Sequence, residues 1–99
     1  MTIAKEQAGE TIVFALEGRL DTTTAPELQE VLIPEFEKAK HIRLDFSQLI
    51  YVSSAGLRVL LMGEKTAQAK GAKMTLVNVS REIQDIFEMT GFSDVLTIE

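Results

Sequence analysis

Strands and helices alternate along most of this sequence, and that alternation limits the folds open to it. Residues 3–7 predict a weak strand, and residues 11–16, rich in β-branched and aromatic side chains, predict the second strand of a hairpin. Further strands are predicted at residues 41–46, 74–77 and 95–98, with a helical segment before each. The order ββαβαβαβ predicts an α/β fold with a mixed, largely parallel sheet of about five strands, packed against helices through right-handed crossovers.

The first helix is predicted from the residues at its start. Thr24 is followed by a proline and then by Glu27, which predicts a capping box with Thr24 as the N-cap. Its apolar stripe includes Val31, whereas Glu35 is one of four glutamates predicted to face water. Pro34 cannot donate a backbone hydrogen bond, so we expect a kink or a restart there. The other predicted helix boundaries are Gly71, Ser80 and Gly91.

Length and charge exclude several classes of function. Ninety-nine residues predict one domain, residues 1–99. The 15 acidic and 10 basic residues give a net charge of −5, which opposes binding to the phosphate backbone of nucleic acids. There is no cysteine, as is usual in a reducing compartment, and no apolar run approaches the roughly 18 residues of a membrane-spanning helix. We therefore expect a cytoplasmic protein that binds no nucleic acid and does not insert into a membrane.

Motifs for catalysis are missing from the sequence. The nucleophile elbow of esterases needs a glycine two residues before the serine, where this chain has Tyr51 or Val52. His41 is the only histidine and begins a predicted strand, and there is no glycine-rich phosphate loop. We therefore predict that the protein is not an enzyme and has no cofactor or metal site. A small hydrolase built on Ser54 and a strand-end carboxylate is the weaker alternative.

The chemistry that the sequence does offer lies in residues 51–58, which we call the serine corner. A loop ends there and a helix begins, so Ser53 or Ser54 can cap the helix. The positive end of a helix dipole also suits a hydroxyl that carries a phosphate, and the residues alone leave both interpretations open. Asp21 and Asp45 lie at or just after strand ends, which meet at one rim of an α/β sheet, so both are expected near the corner.

Four short motifs follow one another along the chain. They are Gly18-x-Leu20-Asp21, Leu44-Asp45-Phe46-Ser47, Ser54-Ala55-Gly56-Leu57 and Gly91-Phe92. Each is weak alone, and the specificity comes from the set and its order. Together they resemble the STAS domains of bacterial anti-sigma factor antagonists, across nearly the whole chain. The resemblance implies a single STAS-like domain.

The resemblance also implies a function and a site. The unphosphorylated protein would bind an anti-sigma factor serine kinase and so free a sigma factor. The kinase would phosphorylate Ser54, and a type 2C serine phosphatase would reverse this. The residues expected to line the docking surface are Asp21, Thr22, Ser53, Gly56, Leu57 and Arg58. The alternative is a standalone STAS subunit that docks on a membrane transporter or a large signalling assembly without being phosphorylated.

The sequence departs from the family pattern in two places. The family usually has aspartate immediately before the acceptor, and this chain has Ser53 there. Ser53 is therefore the second choice for the phosphorylated residue. The sequence also ends at Glu99, after the last predicted strand, where many relatives carry another helix, so we expect one edge to be less covered.

Overall fold

The computed structural model describes residues 1–99 as one sheet of five strands with three α-helices, which confirms the predicted order ββαβαβαβ. Two 3-10 helices, Ile33–Glu37 and Phe92–Asp94, complete the structure. The elements in chain order are β1 Thr2–Ala8, β2 Thr11–Leu20, α1 Ala25–Leu32, β3 His41–Val52, α2 Ser54–Lys70, β4 Lys73–Val77, α3 Arg81–Thr90 and β5 Thr97–Ile98.

The strands lie in the sheet in the same order as in the chain. β1 pairs antiparallel with β2, and the other three pairs are parallel, so the predicted mixed, largely parallel sheet is confirmed. Because each right-handed crossover advances the sheet in the same direction, all three helices lie on one face. The ring of Phe87 on α3 lies 6.3 Å from that of Phe46 on β3, on this helical face.

The core fills the space between the sheet and the helices. Phe14, Leu44 and Leu76 are neighbours across β2, β3 and β4, and all three are almost completely buried. Residues beside them in each strand point to the opposite, open face, since side chains alternate along a strand. That face carries both polar and small apolar side chains, and an ion pair between Arg43 and Glu99 (2.8 Å) lies on it.

Thr24 is the N-cap residue of α1, as predicted, but the predicted capping box does not form. The Thr24 side chain makes no cap hydrogen bond to the helix. Its hydroxyl donates instead to the backbone oxygen of Arg19 (2.7 Å) and accepts from the backbone N–H of Asp21 (2.8 Å). Thr24 thus closes the loop that precedes α1, because Arg19 on β2 and Asp21 in the loop bind the hydroxyl that would otherwise cap the helix.

Pro34 changes the helix as expected: α1 ends at Leu32 and continues as a 3-10 helix. The shorter repeat of that helix turns Glu35 inward, where only 8% of it is exposed and where Lys5 and Lys38 bind its carboxylate. Val31, by contrast, is 39% exposed because the buried stripe of α1 runs through other positions. The predictions that Glu35 faces water and that Val31 belongs to the core were wrong.

β3 is longer than predicted, and the last strand is shorter. β3 continues to Val52, twelve residues in all, and two register shifts against β2 each add one residue to it. The shift near Gly18 leaves Ile50 without a partner on β2 and 71% exposed. At the other end, residues 95–98 were predicted as a strand, but only Thr97–Ile98 pair with β4.

The start of α2 packs very closely on the end of β2. A Cβ atom added to Gly56 would lie 2.7 Å from Leu20 Cγ and 2.9 Å from the Leu20 backbone oxygen. Both distances are shorter than a normal carbon contact, and the backbone oxygen cannot move aside without moving β2. Glycine at position 56 is therefore required for this approach of helix to strand.

We expect Gly56→Ala to destabilise the protein by about 1–3 kcal/mol, because overpacking against a backbone atom forces β2 or α2 to shift. Gly63→Ala is the matched control on the same helix. Its Cβ would meet the ends of two flexible side chains, Met74 and Leu32, which can rotate away. Urea unfolding of both variants checks this, and equal losses of stability would contradict the close approach at Gly56.

Candidate functional site

Ser53, and not Ser54, caps α2. Ser53 has an extended backbone (φ −93°, ψ 176°), and its hydroxyl accepts a long hydrogen bond from the Gly56 N–H (3.4 Å). Ser54 is the first residue of the helix, is exposed, and its hydroxyl has no hydrogen-bond partner in the chain. The sequence alone did not decide which serine caps the helix. In the structure Ser53 is the cap, and the free hydroxyl belongs to Ser54.

One hydrogen bond joins the serine corner to β2, and a second lies within the corner at the start of α2. The Ser53 N–H donates to the Leu20 backbone oxygen (2.9 Å), and the Leu57 N–H donates to the Ser53 backbone oxygen (2.9 Å). Leu20 is the last residue of β2, so the loop that begins with Asp21 starts beside the corner. The sequence prediction that Asp21 lies near the serines agrees with this connection.

Asp21 organises that loop. Its Oδ1 atom accepts from the Thr23 hydroxyl (2.8 Å) and from the N–H groups of Thr23 (3.0 Å) and Thr24 (3.2 Å). The Thr23 hydroxyl, helped by these two N–H groups, holds the pKa of Asp21 below its ordinary value of 3.8, although burial acts in the opposite direction. Asp21 is therefore a carboxylate at neutral pH, with one of its oxygens bound within its own loop.

Arg19 and Tyr51 cover one side of the corner. The guanidinium carbon of Arg19 lies 4.2 Å from the centre of the Tyr51 ring, a cation–π contact between β2 and β3. The same guanidinium lies 3.7 Å from Asp21 Oδ2. Arg19 is thus shared between an aromatic ring and a carboxylate.

The other side of the corner opens into a groove between α1 and α2. Its volume is about 230 Å³. Exposed Thr22 and Arg58, two of the residues expected at a docking surface, lie on its wall. The residues that line it are Thr22, Ala25, Pro26, Gln29, Ala55, Arg58, Val59 and Met62. Sequence reasoning missed Gln29 and Met62, because only the packing of α1 on α2 brings them to the groove.

Two residues predicted for the docking surface lie beneath it. Gly56 and Leu57 are buried, the first against Leu20 and the second within the hydrophobic core. They shape the corner from below. Asp21 and Ser53 are partly exposed, so they lie between the interior and the surface.

The other polar residues singled out in the sequence serve the sheet. Asp45 accepts from Asn78 Nδ2 (3.0 Å) and from the Ser47 N–H (2.9 Å), and these bonds hold its pKa below 3.8. His41 forms a hydrogen bond with Thr75 Oγ1 (2.9 Å) across β3 and β4. The contacts of Asp45 and His41 are therefore with turns and neighbouring strands, and none is with the serine corner.

No group of three or more metal-ligating side chains is assembled in the structure, and none of its helices is both long and apolar enough to cross a membrane.

The profile of the STAS domain family matches residues 2–99. The chain belongs to the STAS domain family. One similar curated protein is the anti-sigma-B factor antagonist of Bacillus subtilis, which is 31% identical over 81 residues, 82% of this chain and 74% of the relative.

Solved structures share the fold of this STAS domain. The anti-sigma factor antagonist SpoIIAA in its unphosphorylated form has a TM-score of 0.80 at 19% identity, over 99% of this chain and 87% of that one. Bacillus SpoIIAA in the phosphorylated form has a TM-score of 0.78 at 20% identity, over 99% of this chain and 91% of that one. A sulfate transporter family protein from Wolinella succinogenes has a TM-score of 0.79 at 20% identity, over 88% of this chain and 71% of that one.

The two serines should differ in what they contribute to the stability of the STAS domain. Ser53→Ala removes the cap of α2 and should cost up to about 1 kcal/mol of unfolding free energy, since the hydrogen bond is long. Ser54→Ala removes an exposed hydroxyl and should change stability by less than about 0.5 kcal/mol. Urea unfolding measures both variants. A larger loss for Ser54→Ala than for Ser53→Ala would contradict the assignment of the cap.

The pH dependence of unfolding should report the state of Asp21. Its folded pKa lies below the ordinary value, so its contribution to stability is complete above pH 3.8 and is lost as the pH falls through the folded pKa. Asp21→Asn removes this titration, so its urea midpoint should fall less than that of the wild type on acidification. Glu6→Gln, at an exposed position on β1 without an ion pair, is the control and should follow the wild type. A profile for Asp21→Asn that runs parallel to the wild type contradicts the prediction.

Proposed function

We propose that this STAS domain, residues 1–99, is an anti-sigma factor antagonist. Unphosphorylated, it binds an anti-sigma factor serine kinase in the cytoplasm and thereby releases a sigma factor. The kinase ends this binding by phosphorylating Ser54, and a type 2C serine phosphatase restores it. The domain acts by binding and performs no chemistry of its own. The relatives named anti-sigma-B factor antagonists support this proposal.

The observation that carries the proposal is the exposed, unbonded hydroxyl of Ser54 at the first position of α2. A kinase can reach it without unfolding any element. The cap of the helix is on Ser53, so a phosphate on Ser54 replaces no existing hydrogen bond. The amino-terminal end of a helix also favours negative charge. Phosphorylation at this position is therefore compatible with an unchanged fold.

The effect of the phosphate then falls on the docking surface. We assign the direct contacts to Thr22, Ser54 and Arg58, which are exposed. Asp21 and Ser53 adjoin them in the chain and are partly exposed. A phosphate adds a charge of about −1.5 to −2, which a partner covering the corner would have to strip of water. A change from 99% bound to 99% free requires about 5.5 kcal/mol, which a buried and unpaired dianion can supply.

We expect the cognate kinase and ATP to place one phosphate on this protein at Ser54, as mass spectrometry of the digested protein will show. Ser54→Ala should bind the kinase and accept no phosphate. Ser54→Asp should bind more weakly because it places a charge at the covered surface, and its thermal midpoint should stay near that of the wild type. Calorimetric titration with the kinase measures the binding.

Ser53→Ala is the matched control for the site of modification. It should still be phosphorylated, because the acceptor in the proposal is its neighbour. Phosphate found on Ser53 in the wild type would show that the capping residue, and not Ser54, is the one that is phosphorylated. A protein that neither binds the kinase nor accepts phosphate overturns the proposed function.

The second candidate function is a standalone subunit that docks on a membrane transporter or a large signalling assembly without phosphorylation. The observation behind this second candidate is the shared fold of a sulfate transporter family protein. Affinity purification from the native membrane fraction separates the two candidates. Recovery of an integral membrane complex in place of a soluble kinase would support the second.

A further inference from the structure

Arg58 is a positive charge without a partner, one helical turn after Ser54. Its side chain is exposed on the wall of the groove, and it forms neither a salt bridge nor a hydrogen bond in the structure. The other arginine at the corner, Arg19, is already held by Tyr51 and Asp21. Of these two guanidinium groups, Arg58 is therefore the one that is free to accept a new anion.

Helix geometry brings Arg58 within reach of residue 54. Positions i and i+4 of an α-helix lie on the same side, with Cβ atoms about 5–6 Å apart, and an anion that precedes the cation is the favoured orientation. A guanidinium also forms paired hydrogen bonds with phosphate oxygens, which a lysine cannot match. Asp21 offers Arg58 little competition, since its carboxylate is bound by its own loop and by Arg19.

We propose that Arg58 is the intramolecular ligand of a phosphate on Ser54. The role in the cell rests on the proposed phosphorylation of Ser54. In the unphosphorylated protein the guanidinium points freely from the wall of the groove, where a carboxylate of a partner can meet it. Phosphorylation then makes two changes at once, because it adds an anion to the docking surface and withdraws the free cation from it.

The test measures the ionisation of the phosphate itself. Phosphoserine is incorporated at position 54 during translation, so no kinase is needed, and its phosphorus NMR signal is followed against pH. Arg58 stabilises the dianion, so Arg58→Gln should raise the second pKa of the phosphate by about 0.3, the value that corresponds to a surface ion pair one helical turn apart. Arg58→Lys should restore part of the difference.

Lys65→Gln is the matched control. Lys65 is also exposed and without a salt bridge on α2, but its Cα atom lies about 16 Å along the helix from residue 54, beyond the screening length at physiological salt. Its replacement should leave the pKa of the phosphate unchanged. The proposal is overturned if Arg58→Gln has the same phosphate pKa as the wild type, or if Lys65→Gln shifts it equally.

The result can be separated from the fate of the proposed function. A pKa difference together with failure of the kinase to modify Ser54 would support the role of Arg58 and overturn the proposed phosphorylation. Modification of Ser54 by the kinase without a difference in the phosphate pKa would support the proposed phosphorylation and overturn the role of Arg58. The thermal unfolding midpoint of Arg58→Gln should match that of the wild type, since the side chain is exposed. This measurement verifies that both proteins compared by NMR are folded.

Discussion

The close approach of Leu20 to Gly56 is the contact on which the functional part of the molecule depends. It joins the last residue of β2 to the first turn of α2, and the bond from the Ser53 N–H to the Leu20 oxygen holds the same point. Once the helix begins there, the loop after Leu20 must start beside the serines. The exposed hydroxyl of Ser54 and the carboxylate of Asp21 are both positioned by that junction.

Charge is distributed at this junction in a way that the net charge of −5 does not suggest. The carboxylate of Asp21 receives three hydrogen bonds from its loop and lies beside Arg19, so much of its charge is compensated locally. The start of a 17-residue helix adds a partial positive charge. With Arg58 exposed nearby, the serine corner favours anions on a chain that is acidic as a whole, which suits the proposed phosphorylation of Ser54.

The sequence was sufficient for the features that local chemistry determines. The strand and helix order was predicted because each segment has its own periodicity. The boundaries at Gly71, Ser80 and Gly91 were predicted because a cap depends on one residue and its immediate neighbours. The structure confirms all three, with both glycines in the left-handed conformation and the Ser80 hydroxyl accepting from the Ile83 N–H.

Prediction from the sequence failed where the burial or the bonding partner of a side chain depends on an element distant in the chain. Glu35 is turned inward by the 3-10 helix, and Lys5 on β1, distant in the chain, supplies one of its two countercharges. Thr24 bonds to Arg19 on β2 in preference to its own helix. In the candidate site, the motif pointed to Ser54 as the expected acceptor without deciding which serine caps the helix. Gly56 and Leu57 were wrongly placed on the surface, since a motif does not reveal which of its residues face the core.

The strand order of the sheet has a consequence for how this chain folds. Every strand pairs with its neighbour in sequence, so the sheet grows at one edge only, and no strand waits for a later segment to be inserted beside it. Each crossover contains a helix and joins strands that are consecutive in the chain, so no pairing has to close a loop longer than one crossover. A sheet with this order can therefore add its strands one after another, outward from the hairpin of β1 and β2.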